Sequence, residues 1–214
     1  IYLDMRGRNA LVVGGGSVGS RKAQTLLRAG ARVRVVSPQV TAIIRSLAGT
    51  GELTWHERPY RASDMETMFL VFSATDDPDL NHRIEADATR HHVLCNFADA
   101  PDRGHFILPS IVARGDLIVS ISTSGKSPAV ARRLRHELEA YFGEEYGPFL
   151  QLMGAIREQL LARAHAPEDH RKVFDRLIDG GLLALVKAGD REGVDTLLQS
   201  VLGDDFDAEH MMVR

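Results

Sequence analysis

Glycines at positions 14, 16 and 19, in the run LVVGGGSVGSRKA, are spaced to meet a phosphate. In the pattern G-x-G-x-x-G, one glycine makes a tight turn, one lets a pyrophosphate approach the backbone, and one lets a helix press against its strand. A helix that begins there offers unpaired N–H groups and about half a positive charge to an anion. The chemistry implied is capture of a dinucleotide through its diphosphate by Gly14, Gly15, Gly16, Ser17, Val18 and Gly19.

A second position bears on which dinucleotide. Sheets of this kind usually carry Asp or Glu at the end of the second strand, where the carboxylate accepts hydrogen bonds from the adenosine ribose. Here Ser37 stands there, followed by Pro38 and Gln39. A hydroxyl can bond a ribose but does not repel a 2′-phosphate, so this position leaves NAD and NADP both open. Arg21, Lys22 and Arg34 could face an extra phosphate, although solvated strand and helix faces account for each of them. Further along, SATDDPDLN places Thr75, Asp76 and Asp77 where the cofactor would pass, and helix capping accounts equally well for one of these acids.

The elements that must hold these residues follow from periodicity. An apolar run at 10–13, the glycine turn, and helical spacing at Ala23, Leu26 and Leu27 read as strand, turn and helix. Gly30 closes that helix, and ARVRVVSP alternates as a second strand should. Further strands are expected at 53–57, 68–75 and 92–99, with a helix in NHRIEADATRHH. Alternating strands and helices give an α/β, Rossmann-like parallel sheet whose ligands bind beyond the carboxyl ends of the strands. After residue 100 the rhythm changes. HFILPSIVARGDLIVSISTSG reads as two strands joined by a turn at 114–116, and SPAVARRLRHELEAYF as a helix capped by Ser127 with Pro128 in its first turn. Ala131, Leu134, Leu138 and Tyr141 share one face of it. From Pro148 onward the spacing is helical. The expected divisions are 1–109, a nucleotide-binding domain; 110–147, a small α+β region; and 148–214, a helical domain.

Bulk properties bound the function. The chain has 214 residues, 44% apolar, with a net charge of −3, so it can bury a sizeable core, and its mild acidity argues against a nucleic-acid-coating surface. The single cysteine, Cys95, excludes an internal disulfide and suits a reducing compartment; a buried strand position is expected for it. No apolar segment approaches the ~20 residues of a membrane span and no signal-peptide pattern opens the chain, so a cytoplasmic location is expected. His91, His92 and Cys95 form no metal-ligand pattern, and no metal site is expected. The loop STSGKSP can bind an anion ahead of its helix, but it is no Walker motif, because Ser120 stands where the first glycine is required.

Taken in order, VVGGGSVGSRKAQTLLRAGARVRVVSP, FSATDDPDLN, CNFADAPDRGHFILPS and SGKSPAVARRLR resemble the siroheme-synthase N-terminal family, over residues 3–142. The resemblance implies a precorrin-2 dehydrogenase: oxidation of precorrin-2 by NAD+ to sirohydrochlorin, with insertion of ferrous iron in many members. It implies NAD rather than NADP, a homodimer intertwined through the segment after the nucleotide-binding domain, and Asp99 of the DAP turn as acid/base residue. A partly desolvated carboxylate at the carboxyl edge of a sheet is suited to that task. His105 could share it. For a carboxylate-rich tetrapyrrole, Arg103, Arg114, Lys126, Arg132 and Arg133 are candidate partners, with Thr123, Ser124 and Gly125 in the anion-binding loop. Lys126 departs from the small polar residue the family pattern leads one to expect. No methyltransferase domain is expected in the chain, so a separate uroporphyrinogen methyltransferase would act upstream, and Fe2+ or Co2+ would be a substrate of the chelatase. Two other readings stay open on the residues alone: a dinucleotide-sensing regulatory module, and an NAD(P) oxidoreductase with another small substrate.

Overall fold

The computed structural model describes residues 2–98, 100, 103–162 and 167–203. The chain divides into two compact units, Ile1–Leu108 and Pro109–Arg214.

The first unit alternates strand and helix: β1 (Asn9–Val13), α1 (Ser17–Arg28), β2 (Arg32–Val36), α2 (Ala42–Gly49), β3 (Thr54–His56), a 3₁₀ turn (Ala62–Met65), β4 (Leu70–Ser73), α3 (Pro78–Arg90) and β5 (Leu94–Phe97). The strands form one parallel sheet in the order β3-β2-β1-β4-β5, as the alternating pattern predicts. Both faces are covered, which is why β1 is apolar at consecutive positions rather than alternate ones. Ala10 and Val12 enter the layer with Ala23, Leu26 and Ile44 of α1 and α2. Leu11 and Val13 enter the opposite layer with Ile84 and Ala88 of α3. Each such large side chain, fully buried, contributes about 1.5–3 kcal/mol. The helix ends are set locally: Asp77 caps α3 by accepting from the backbone N–H groups of Asp79 and Leu80, with Pro78 in its first turn.

The 3₁₀ turn carries a buried ion pair that the sequence pattern did not reveal. Asp64 is 2% exposed and accepts from both terminal nitrogens of Arg58, at 2.6 and 2.8 Å, and from the Arg61 backbone N–H at 2.8 Å. Burial pushes the carboxyl pKa up, but the Arg58 guanidinium and the Arg61 N–H outweigh it and hold it below the ordinary 3.8. A pKa depressed in the folded state stabilises the protein above the unfolded value, and that contribution disappears as pH falls through the folded one. Asp64→Asn is therefore expected to lower the unfolding free energy by about 2 kcal/mol at neutral pH. In urea titrations the gap between the two proteins should shrink once the pH drops below the ordinary aspartate range. A gap that persists in acid would show that the charge is not the source of the effect.

The second unit opens with an antiparallel hairpin, β6 (Ser110–Arg114) and β7 (Leu117–Ile121), turning at Gly115 and Asp116, and continues through α4 (Pro128–Tyr141), α5 (Tyr146–Ala162), α6 (Pro167–Asp179), α7 (Leu182–Ala188) and α8 (Arg191–Leu202). Ser127 caps α4 as expected, accepting from the Val130 N–H. Helices α5 to α8 enclose their own core around Leu152, Ile156, Leu177, Leu182 and Leu198. On α4 the expected apolar face is present but largely uncovered: Ala131 is buried, while Leu134 is 38% and Tyr141 72% exposed. Ile111, Ile118 and Val130 are exposed as well. A lone two-stranded ribbon is too small to cover such a face.

Candidate functional site

The carboxyl ends of the parallel strands are fastened one residue past the strands themselves. Gly14 N–H donates to the Val36 carbonyl, Ala74 N–H to Val13, and Ala98 N–H to Ser73, at 3.1, 2.8 and 3.0 Å. Beyond this edge, where the order reverses between β1 and β4, lies a cavity of about 690 Å³. This is the switch point at which open α/β sheets bind ligands.

Of the residues singled out from the sequence, Gly14, Gly15, Gly16, Ser17, Val18, Ser37, Gln39, Thr75 and Asp76 all line this cavity. Gly19 lies inside α1 against the Gly14 carbonyl, where an added Cβ would stand 2.1 Å away. Gly14 has φ +109°, and a Cβ there would meet the Ala74 carbonyl oxygen at 2.3 Å. At Gly16 the space is open, so a side chain there would fill only room left for a ligand. The first turn of α1 follows directly, and Gly16 has no side chain to cap it; its leading N–H groups lack intrahelical acceptors. Among the described residues no Lys or Arg lines the cavity, and Asp76 is the one charged side chain that does. The floor therefore suits a diphosphate bound by backbone donors, and the residues present fit a dinucleotide.

Sequence reasoning missed part of the wall. Val40, Thr41, Ala74 and Ala98 also line the cavity. The 39–41 loop folds back on the glycine turn: Thr41 N–H donates to the Gly15 carbonyl at 3.0 Å, and the Ser20 and Thr41 hydroxyls lie 2.6 Å apart. The signal for Thr41 was its place as N-cap of α2, ahead of AIIRSL, where it accepts from the Ile44 N–H. A smaller depression of about 270 Å³ shares Gly14, Ser37 and Thr75 with the first; Pro38, Pro59, Tyr60 and Leu80 wall it, and the charged Asp77, Asp79 and Arg83 line it as well. Tyr60 is held in place by donating its hydroxyl to Asp87 at 3.0 Å. Burial and that carboxylate raise its pKa above the ordinary phenol value.

The residues that follow β5 are arranged differently. Asp99 lies outside the described residues. Arg103 is ion-paired with Glu85, and its guanidinium lies 5.2 Å from the Phe97 ring centroid. His105 is exposed at the surface, but its ring is committed on one side: Nδ1 accepts from the Cys95 backbone N–H at 3.1 Å, while the His105 N–H returns a bond to the Cys95 carbonyl at 2.8 Å. Nδ1 is thereby the acceptor and Nε2 carries the proton. Neither Arg103 nor His105 lines the two depressions. Cys95 is a core residue, as expected, and burial pushes its thiol up to about 12, which keeps it in the unreactive protonated form.

In the second unit the STSGKSP loop is organised by its own hydroxyls. Ser122 accepts from the Ser124 N–H and Thr123 from the Ser127 N–H, both at 3.1 Å. Ser124 and Gly125 are left-handed, and Lys126 is exposed. Arg114 is tied to the carbonyls of Glu139 and Phe142 and to the carboxylate of Glu144, and Arg133 to Glu137.

Three family descriptions match the chain in succession: putative NAD(P)-binding over residues 1–110, sirohaem biosynthesis protein central over 114–141, and sirohaem synthase dimerisation region over 145–202. The chain belongs to the siroheme synthase N-terminal family. Its first unit is the NAD(P)-binding part of that family. Among curated relatives, siroheme synthase 1 of Serratia proteamaculans is 37% identical over 88% of this chain and 40% of that protein. Siroheme synthase 1 of Pectobacterium atrosepticum is 35% identical over 99% of this chain and 44% of its own length. The chain thus spans less than half of the siroheme synthases it matches. A solved structure described as SirC, precorrin-2 dehydrogenase, superposes with a TM-score of 0.72 at 26% identity, covering 93% of this chain and 98% of that one.

Proposed function

We propose that the chain is an NAD-dependent precorrin-2 dehydrogenase of siroheme biosynthesis, yielding sirohydrochlorin. The observation that carries this reading is the glycine-floored cavity whose described lining includes Ala98, the residue before Asp99 in sequence. The likeness to the SirC dehydrogenase over nearly the full length of both chains supports it.

In this reading residues 14–19, with the first turn of α1, hold the diphosphate; Ser37 meets the adenosine ribose; Pro38, Gln39 and the Tyr60 wall border the adenine; and Thr75 and Asp76 border the other half. NAD+, when bound, supplies the hydride acceptor. Loss of hydride from the tetrapyrrole must be matched by loss of a proton, and Asp99 accepts it. Arg103, His105, Thr123, Ser124, Gly125 and Lys126 are proposed to meet the substrate: the fixed Nε2–H of His105 is a hydrogen-bond donor, and the exposed Lys126 ammonium a counter-charge for a carboxylate. Entry of Fe2+ or Co2+ into sirohydrochlorin displaces two pyrrolic protons, and the same carboxylate would take them one at a time, releasing the first to solvent before it accepts the second. The methyl groups of the substrate would come from a separate uroporphyrinogen methyltransferase.

Within the second unit, 110–147 is proposed as the dimerisation region and 148–214 as the helical domain. A second copy covering the exposed β6–β7 and α4 face would give the homodimer; the matched dimerisation-region description supports a homodimer as well, but it falls on residues 145–202, the helices α5 to α8. No described helix is long and apolar enough to cross a membrane, and an unpaired buried thiol suits a cytoplasmic location.

Mixing the protein with precorrin-2 and NAD+ should turn the visible spectrum from that of precorrin-2 to that of sirohydrochlorin, with NADH appearing in equal amount. NAD+ binding without any spectral change would favour a sensing module instead. Absence of both would remove the dehydrogenase reading altogether.

A further inference from the structure

Lys22 carries a charge that neither the cofactor cavity nor the depression beside it uses. It lies on α1, half-buried, and lines neither of them. Its Nζ stands 5.0 Å from the centroid of the Phe72 ring on β4, and Phe72 is itself buried and met edge-on by the Phe106 ring at 5.5 Å. The sheet order excludes the adenosine ribose as its partner: β2, which ends at Ser37, and β4 flank β1 on opposite sides, and Lys22 is on the β4 side. Burial, with Arg21 next to it, pulls the ammonium pKa below the ordinary 10.5, a cost that an opposite charge would offset. Among the described residues no carboxylate pairs with it. The Phe72 ring engages one side of the ammonium, which has three N–H donors to place. The same ring pair joins Lys22 to the chain that follows β5. Phe72 is opposite Asn96 in the β4–β5 register, the Asn96 amide donates to the Phe106 carbonyl at 2.7 Å, and the exposed Ile107 and Leu108 come next in sequence.

We propose that Lys22 anchors a carboxylate of the tetrapyrrole substrate beside the Phe72–Phe106 ring pair. A tetrapyrrole is a broad apolar ring edged by carboxylates. It brings carbon faces to the apolar Phe106–Leu108 segment and an anion to the ammonium at its border. A desolvated ammonium gains more from one carboxylate than a solvated surface lysine does. The position on α1 matters as well: the first turn of that helix is proposed to hold the cofactor diphosphate, so one rigid element would set the spacing between cofactor and substrate. The inference rests on the dehydrogenase reading of the site.

The test is steady-state turnover of precorrin-2 at saturating NAD+ by wild type, Lys22→Met and Lys22→Arg, with NAD+ affinity measured separately by calorimetry without substrate. Methionine keeps an unbranched stem over Phe72 and removes the charge; Lys22→Gln repeats the comparison should that variant fail to fold. Loss of one charge-assisted hydrogen bond should raise KM for precorrin-2 about tenfold or more in Lys22→Met. The loss should fall on KM, with kcat changed less than about threefold and the NAD+ Kd less than about twofold. Lys22→Arg should recover most of the KM. A wild-type KM in the uncharged variant overturns the inference and leaves the ammonium as a cap on the Phe72 ring. A fall in kcat with KM unchanged overturns it too, as does an arginine variant no better than the methionine one. Each of these results, with wild type active, removes the inference alone. A wild-type chain that turns over no precorrin-2 sinks the dehydrogenase reading, and this inference with it.

Discussion

A Gly14→Ala variant is expected to lose NAD+ binding, with Kd raised at least about a hundredfold, and to unfold about 3 kcal/mol more easily than wild type. Two independent costs converge on this position. Its φ of +109° is a conformation that residues with a Cβ rarely adopt, and the new methyl group would stand 2.3 Å from the Ala74 carbonyl oxygen. That oxygen cannot yield easily, because the Ala74 N–H is bonded to Val13 and the next residue, Thr75, has its carbonyl held by the Asn81 side-chain amide at 3.2 Å. To accept the methyl group, the end of β4 must separate from the end of β1, and the cavity lies between them. Gly16→Ala supplies the contrast. A Cβ there meets nothing within 4 Å, so the cost in stability should stay under about 1 kcal/mol while nucleotide affinity still falls. Calorimetry paired with urea denaturation separates the two behaviours. If Gly14→Ala bound NAD+ as wild type does, the glycine turn would not be the cofactor floor.

Much of this site is readable without coordinates because its determinants are local. The glycine spacing and the Ser127 cap followed by Pro128 each depend on a few neighbouring residues and are found where the sequence puts them, and of the two acids either of which could cap α3 it is Asp77 that does. The sheet order follows from alternation of strand and helix, since parallel strands require crossovers. What the sequence did not disclose depends on approach between distant segments. Nothing in SPQVT announces that Gln39 turns its carbonyl back to Ser37, or that Thr41 reaches Ser20, 21 residues away in sequence. The Tyr60 wall of the smaller depression depends on a bond to Asp87, 27 residues on. Charges were the least legible. Arg103 and Arg114 look alike in sequence as partners for an anionic substrate, yet Arg103 is engaged by Glu85 and Arg114 by two backbone carbonyls and a carboxylate.

The same contrast explains the second unit. Periodicity identifies the apolar face of α4 but cannot say what it packs against, and within the chain that face is largely bare. A helix face and a short ribbon that stay exposed together gain stability when a further apolar surface covers them. A second copy of the chain is the occupant proposed for that face, whereas the dimerisation-region description itself matches the helices at 145–202.

The largest kinetic effect is expected at Asp99. β5 carries the chain to the cavity wall at Ala98, and its main chain is fixed there by the Ala98 N–H bond to Ser73. The next residue in sequence is the only carboxylate of the CNFADAP segment. If it takes the proton that must leave the tetrapyrrole as hydride departs, Asp99→Asn keeps the size and polarity of the side chain but removes its basicity. Turnover of precorrin-2 should then fall by about 10²–10⁴, while NAD+ affinity stays within about twofold of wild type, because the glycine turn and Ser37 that hold the nucleotide in this reading are unchanged. The split between an unchanged nucleotide Kd and a collapsed kcat distinguishes proton transfer from damage to the fold. Metal insertion followed in the same variant should slow as well, since the two pyrrolic protons would have lost their acceptor. A variant that oxidises precorrin-2 at the wild-type rate would move the base to another residue, and His105, with its imidazole already oriented by Cys95, would be the next to replace.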